Sequence, residues 1–502
     1  MSNDYLIKDR EPQALYHFFE DISRIPRITF HEKEISQYLV EFAESRGLWC
    51  YRDRMYNVLI KKKGSAGCEN LPPVLLEGHV DMVAAKAGDS DHNFETDPIE
   101  LIVEGNILRA NKTTLGADNG CAVAMMLTLL DKEDLVHPPL ECLFTVQEET
   151  GLDGAKAFDM SKIDSRRMIG LDAGSEGVFR MGTTTKIQMT AALKTEREET
   201  KGKTYELLVD GLRGGDQGAN VPKERISAIK MTFRALHYLN QDMDVRVIST
   251  EKLGKGIPED CRTRICLADG EEARMNEILE RQQQCIRREY AESDPDIRIR
   301  AVPVQDGQKM MTKECSDNLI NSIYLMPYGA RNRKPCKLDE VRCSVIMKKI
   351  YTDPDAVRIF SVISTEEMIH GDVLDEEMRT FVRTLGWEVE SVELDKGWDW
   401  EAVSPIRDTM VKSYVELYGK EPVVNISHGG NDCVVFKHKI PEMDMVTTAA
   451  TYEDYHTPNE HLYMDSFERV YYLLERVLFN LSEEQTETDS VREMSQECAG
   501  LV

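Results

Sequence analysis

The chain has 502 residues, too many for one hydrophobic core, so two or more domains are expected. Its 41% hydrophobic content excludes a disordered chain, and 62 basic against 89 acidic residues leave a net charge of -27, which disfavours nucleic acid and anionic membranes as partners. No run of about 20 apolar residues is available to span a bilayer. The start of the chain, polar and then amphipathic, lacks a signal peptide's apolar core. The twelve cysteines show no pair spacing, which points to a reducing, cytoplasmic setting.

Residues 1–182 read as the first segment of an α/β catalytic domain. Thr29 to Glu32 reads as a capping box that opens the helix HEKEISQYLVEFAESRG, ended by Gly47. VLIKKKG, VLLEG, LECLFTVQ and RMIGLD read as strands, and CAVAMMLTLLD as a nearly all-apolar helix. Strands alternating with helices predict a layered, mostly parallel mixed sheet. Residues 183–395 differ. Charge-rich β-runs separated by amphipathic helices predict an inserted α+β domain of one large or two small lobes. Residues 396–485 return to the α/β pattern, with a helix ended by Gly419, a strand at EMDMVTTAA and a long helix from Asp465. Residues 486–502 read as an acidic tail.

The chemistry sits at the ends of the apolar runs. In VLLEGHVDM, His79 and Asp81 are spaced i, i+2, which puts both side chains on one face of an extended segment. A ligating histidine needs its second nitrogen held, and a nearby carboxylate does this. In TTLGADNG, Asp118 precedes the apolar helix; it reads either as a helix cap or as a carboxylate offering one oxygen to each of two cations. In TVQEETG, Glu148 and Glu149 follow a strand directly. Neighbours in extended chain point opposite ways, so Glu149 can grip a metal while Glu148 faces the attacking water. Asp172 ends RMIGLD, and His456 lies in YEDYHTPNE, where Pro458 stops a regular helix. His461 is a weaker candidate. Two histidines and three carboxylates suit two divalent ions, zinc first, with manganese or cobalt able to substitute. Glu148 is then the general base.

These motifs, ISRIPRITFHEKEISQYLVEFAESRG, LLEGHVDMVAAK, TTLGADNG, TVQEETGLDGA, GLDAGSEG and HTPNE, resemble the M20 metallopeptidases, especially their aminoacyl-histidine (Xaa-His) dipeptidase branch. The resemblance implies a zinc-bearing catalytic domain, an inserted lid, and hydrolysis of small peptides with a free amino end. Carried over, His79, Asp118 and Asp172 would hold one metal, and Asp118, Glu149 and His456 the other. Asp81 would orient His79, and Glu148 would be the base. Family members often dimerise through the lid, so a homodimer is an implied partner.

The lid departs from the family pattern. GLRGGDQGAN places Asp216 where the family has an oxyanion-stabilising histidine. An ionised aspartate cannot donate to an oxyanion, and losing such a donor costs about 3 kcal/mol of transition-state stabilisation. SVISTEEMIHGD places Glu366 and Glu367 near an expected carboxylate-gripping arginine, and HGGNDC keeps His428 but shortens an acid to Asp432. These residues predict an altered substrate site, with Asp216 and Glu366 meeting a cationic group and His370 or His428 available as replacement donors. The expected function is metal-dependent hydrolysis of dipeptides. The alternatives are hydrolysis of another small amide, such as an acylated amino acid, and a catalytically weakened scaffold protein.

Overall fold

Two six-residue segments organise the first of the two units of the fold. Val74–His79 (β3) and Leu140–Thr145 (β4) are buried at every position, as expected of strands covered on both faces. They pair in parallel, and β3 pairs in parallel with Arg167–Gly170 (β5) on its other side. The protein is described by a computed structural model covering residues 5–499 other than 173–174, 255, 306, 336 and 428–429. The chain divides into one unit of residues 1–182 and 400–502 and a second of residues 183–399.

The first unit is built on an eight-stranded sheet. Besides β3, β4 and β5 it contains Trp49–Arg52 (β1), Val58–Lys62 (β2), Val178–Thr183 (β6), Val423–Ser427 (β7) and Asp444–Thr447 (β8), in the order β1-β2-β4-β3-β5-β8-β6-β7. The four central strands are parallel, while β1, β2 and β6 pair antiparallel. The carboxyl ends of β3, β4 and β5 therefore share one edge. The helices include α1 (Gln13–Ser23), α2 (Lys33–Ser45), α3 (Ala117–Asp131), α4 (Pro405–Tyr418), α5 (Cys433–Lys439) and α6 (Met464–Ala499). The near-uniform apolarity of α3 is explained by burial of every residue from Asn119 to Leu130, within a core shared with α1, α4 and α6. Helix α4 ends where expected, with Gly419 at φ 65°, a left-handed position that glycine adopts without strain.

Two expectations need correction. Thr29 and Glu32 form no capping box. The Thr29 hydroxyl donates to Asp81 at 2.9 Å, and the Glu32 carboxylate accepts from the Phe30 and Gln147 amides at 2.9 and 3.3 Å. Helix α2 starts at Lys33, with Glu32 at its N-cap and no side-chain cap. The Thr29 side chain is turned to the buried Asp81, and the helix begins only at Lys33, too late for Thr29 to stand at its N-cap. Residues 486–499, read as tail, continue the backbone of α6 to Ala499, because no glycine or proline interrupts them before Gly500. Of the two alternatives for the middle segment, the structure gives the single unit, Thr183–Asp399.

That second unit holds a nine-stranded sheet in which every described pairing is antiparallel. Helices Ala228–Asp242, Glu272–Glu289, Lys313–Leu325 and Met368–Thr384 bury their apolar stripes in its core. No described helix is long and apolar enough to cross a membrane, and the ten described cysteines are free.

The loop after β4 is closed by Asn57, which is fully buried. Its Oδ1 accepts from the Val146 amide at 3.1 Å, and its Nδ2 donates to the Gly154 carbonyl at 3.0 Å. A Cβ at Gly154 would lie 2.1 Å from the Val146 oxygen. Gly154→Ala is therefore expected to destabilise the protein by about 1–3 kcal/mol, read as a lower midpoint in equilibrium urea unfolding.

Candidate metal centre

His79 closes β3 and is 2% exposed. Its Nδ1 lies 3.0 Å from the Asp81 carbonyl oxygen. A carbonyl can only accept, so Nδ1 carries a proton and Nε2 is the nitrogen turned toward Asp118. The Asp81 carboxylate is farther from Nδ1, at 3.6 Å; the backbone oxygen of the same residue orients the ring. The carboxylate has its own work. Its Oδ1 accepts from the Glu148 amide at 3.1 Å, and its Oδ2 accepts from the Glu149 amide at 3.4 Å as well as from Thr29. Burial pushes the Asp81 pKa up, but His79 and these donors outweigh it and hold the group below its ordinary value. Asp81 thus ties the end of β3 to the segment after β4.

Asp118 lies at the start of α3 but caps nothing. Gly116 is the N-cap at φ 72°, and Asp118 itself has non-helical angles. One carboxylate oxygen of Asp118 is 3.3 Å from His79 Nε2; the other is 3.3 Å from His456 Nε2. A single acid thus divides its two oxygens between two imidazoles. Burial raises its pKa, but the contacts with His456 and His79 bring it well below the usual carboxylate range. His456 also meets both oxygens of Glu149, at 3.1 and 3.0 Å. His79, Asp118 and Glu149 bring ligating atoms within 4.8 Å of one another.

The remaining acids show how strongly this edge demands positive charge. Burial first, then the charge of Asp118, raises Asp172 to about 7. Burial, reinforced by Asp172, Asp432 and Glu149 against the pull of His79, raises Glu148 to about 9. Contacts with Asp118 and Glu149 raise His456 to about 10. Carboxylates that recruit protons this strongly are the environment a divalent cation fits, and the donor set of imidazole nitrogen with carboxylate oxygen suits zinc.

His79, Asp118, Glu148, Glu149, Asp172 and His456 all line one cavity of about 200 Å³, with Asn431, Tyr452 and Tyr455. A larger cavity of about 950 Å³ in the second unit contains no histidine in its lining. The sequence reading missed the supports. The Tyr452 hydroxyl donates toward Asp118 at 3.3 Å and Asp172 at 3.5 Å, and Asn431 Nδ2 donates to the Asp172 carbonyl at 2.9 Å. Glu460, 2% exposed, accepts from the Leu115, Gly116 and Asp118 amides at 2.8, 3.0 and 3.2 Å. Arg27, also 2% exposed, donates to the Val80 and Gly116 carbonyls at 2.8 and 2.7 Å. Glu460 and Tyr452 sit in the same short segment as His456, which was the available signal; nothing local marked Arg27.

His461 occupies the strand His461–Tyr463, with Nδ1 3.0 Å from the Asn459 carbonyl and Nε2 3.6 Å from Glu453. In the second unit, Asp216 is exposed and accepts from the Gly218 amide at 2.8 Å, an aspartate turn at the start of Gln217–Asn220. Glu366 is 7% exposed and pairs with Lys334 at 3.3 Å, so its charge is already matched. His370 lies 3.9 Å from Glu367. His428 lies outside the described residues. Asp432 is 2% exposed, and neither of its carboxylate oxygens has a hydrogen-bond partner among the described residues.

The sequence model of peptidase family M20/M25/M40 matches residues 75–480. The cytosol non-specific dipeptidase of Escherichia coli is 30% identical over 471 residues, 93% of this chain and 97% of that protein. The crystal structure of an aminoacylhistidine dipeptidase from Vibrio alginolyticus superposes with a TM-score of 0.84 at 27% identity, covering 94% of this chain and 97% of that one. An aminopeptidase structure from Bacillus cereus, at 16% identity and a TM-score of 0.56 over 94% and 98% of the two chains, shares the fold.

Two outcomes follow from the geometry. Asp81→Asn is expected to weaken metal binding about 10–100-fold, measured by equilibrium dialysis against zinc. In the metal-free protein, Asp432, Asp172 and Glu148 titrate near 6, 7 and 9, above their values in an unfolded chain. The folded state then binds more protons than the unfolded state, so stability is greatest below about pH 4 for these groups and falls as pH rises through 6 to 9. His456, raised to about 10, acts in the same direction. Thermal melts across this range should show a declining Tm without metal and a much flatter profile with saturating zinc.

Proposed function

Because the chain belongs to peptidase family M20/M25/M40, we propose that it is a metal-dependent dipeptidase that works with a pair of divalent ions and a glutamate base. The observation that carries the two-ion reading is the division of the Asp118 carboxylate between His79 and His456, one oxygen at 3.3 Å from each. His79, Asp118 and Asp172 would hold one ion; Asp118, Glu149 and His456 would hold the other. The names of the two similar dipeptidases, one non-specific and one for aminoacylhistidines, support a small peptide as substrate, as does a cavity of about 200 Å³.

The chemistry that such ions supply is Lewis acidity, which lowers the pKa of a water and steadies negative charge on a carbonyl oxygen. The chain's residues perform the proton work. Glu148 removes a proton from the attacking water and returns it to the departing amine. Burial makes its carboxyl an avid proton holder, while positive charge taken up by the site opposes that, leaving the group poised for both transfers. Asp81 and Thr29 fix the segment that bears Glu148, and Tyr452 holds Asp118 against Asp172. The scaffold reading is disfavoured by the intact donor set together with Glu148, since a binding protein needs no base beside its metal ligands.

The test combines metal analysis with turnover. The protein is expected to bind two zinc ions per chain and to hydrolyse members of a dipeptide panel. Glu148→Gln should keep both ions and lose about 10²- to 10⁴-fold in kcat. Two bound ions with no cleavage of any dipeptide would overturn the peptidase reading, and a single bound ion in the active protein would overturn the two-ion reading.

A further inference from the structure

Arg180 is an arginine of the first unit that pairs with no acid among the described residues. It lies on β6, and its Nη1 donates to the neutral Asn425 Oδ1 on β7 at 2.6 Å. Its position is set by strand register. Glu77 on β3 faces Gly170 on β5, Gly170 faces Thr447 on β8, and Thr447 faces Arg180 on β6. Directly paired residues share a sheet face, so Arg180 shares the face of Glu77 and, two residues along, of His79. Three strand spacings separate the ends of that row, roughly 14 Å. A long side chain and an extended two-residue peptide, at about 3.5 Å per residue, together cover that distance. Burial lowers the Arg180 pKa, and the titratable group that acts on it in return is Tyr455, which lines the metal-centre cavity. Ser427, two residues beyond Asn425 on β7, lines the same cavity.

A half-buried guanidinium with only an amide oxygen to satisfy it, on the sheet face that carries His79, is suited to pair with an anion. Resting on the dipeptidase reading, we propose that Arg180 receives the terminal carboxylate of the peptide substrate, with Asn425 holding the guanidinium in place. The specificity contact then comes from the catalytic unit itself. This accounts for the second unit having glutamates, one of them already paired with Lys334, where a carboxylate-gripping arginine is expected.

The experiment compares a dipeptide with the same dipeptide bearing a C-terminal amide. The wild-type, zinc-loaded protein is expected to prefer the free acid by about tenfold or more in KM. Arg180→Met should bring the acid-to-amide KM ratio close to one, and Arg180→Lys should keep part of the preference. Asn425→Ala, which removes the anchor and leaves the charge, should reduce the ratio without abolishing it. Binding of both peptides to zinc-loaded Glu148→Gln, with and without Arg180→Met, gives the same ratio without turnover. An unchanged ratio in Arg180→Met, or no preference in the wild type, overturns the assignment. If the wild type cleaves neither peptide, the dipeptidase reading fails, and the binding ratio by itself still decides the role of Arg180.

Discussion

Negative charge gathered on one edge of a parallel sheet is the constraint from which the rest of the catalytic unit follows. β3 and β5 deliver His79 and Asp172 just at or beyond their carboxyl ends, and the segment after β4 delivers Glu148 and Glu149. Asp118 and His456 are added by a helix start and a loop. Buried carboxylates this close cannot all ionise unless positive charge joins them. The protein without cations answers by holding protons, on Glu148 at about 9, Asp172 at about 7 and His456 at about 10. Such an arrangement is an environment that a divalent cation fits.

The surrounding acids divide into two kinds. Asp118, Glu149 and Asp172 present oxygens to the cavity. Asp81 and Glu460 instead spend theirs on backbone amides, two for Asp81 and three for Glu460. An ionised acid accepting several N–H bonds fixes the chain segments that carry the ligands. Arg27 performs the complementary task from the other sign, binding the carbonyls of Val80 and Gly116 beside two ligand-bearing segments. Such supports decide whether five donors meet at one place or merely lie near each other.

The inserted unit follows different rules. Its antiparallel sheet and covering helices form an independent core, and its conspicuous acids are locally satisfied. Asp216 closes a turn, and Glu366 is neutralised by Lys334. Charge reversal read from sequence as a changed substrate therefore has a local structural account at both positions. Arg180, by contrast, carries a charge that its own surroundings leave unanswered.

The α/β class of the outer segments and the layered sheet were legible in the sequence, as were the histidines and acids at strand ends that come together in one cavity. Burial of both faces of a strand demands an unbroken apolar run, and a hydrophilic donor at the end of such a run stands out. The motif spacing likewise singled out His79, Asp118, Glu149, Asp172 and His456. What the tertiary structure decided was partnership. Thr29 forgoes its helix for Asp81, the Asp81 carbonyl rather than its carboxylate orients His79, and Arg27, Glu460 and Tyr452 become supports through contacts that for Arg27 and Glu460 span 53 to 345 residues of sequence. A hydrogen bond depends on where two atoms are brought in space, and local pattern records only what each residue can offer. The side-chain types were written in the chain; which of them answer each other was settled by packing.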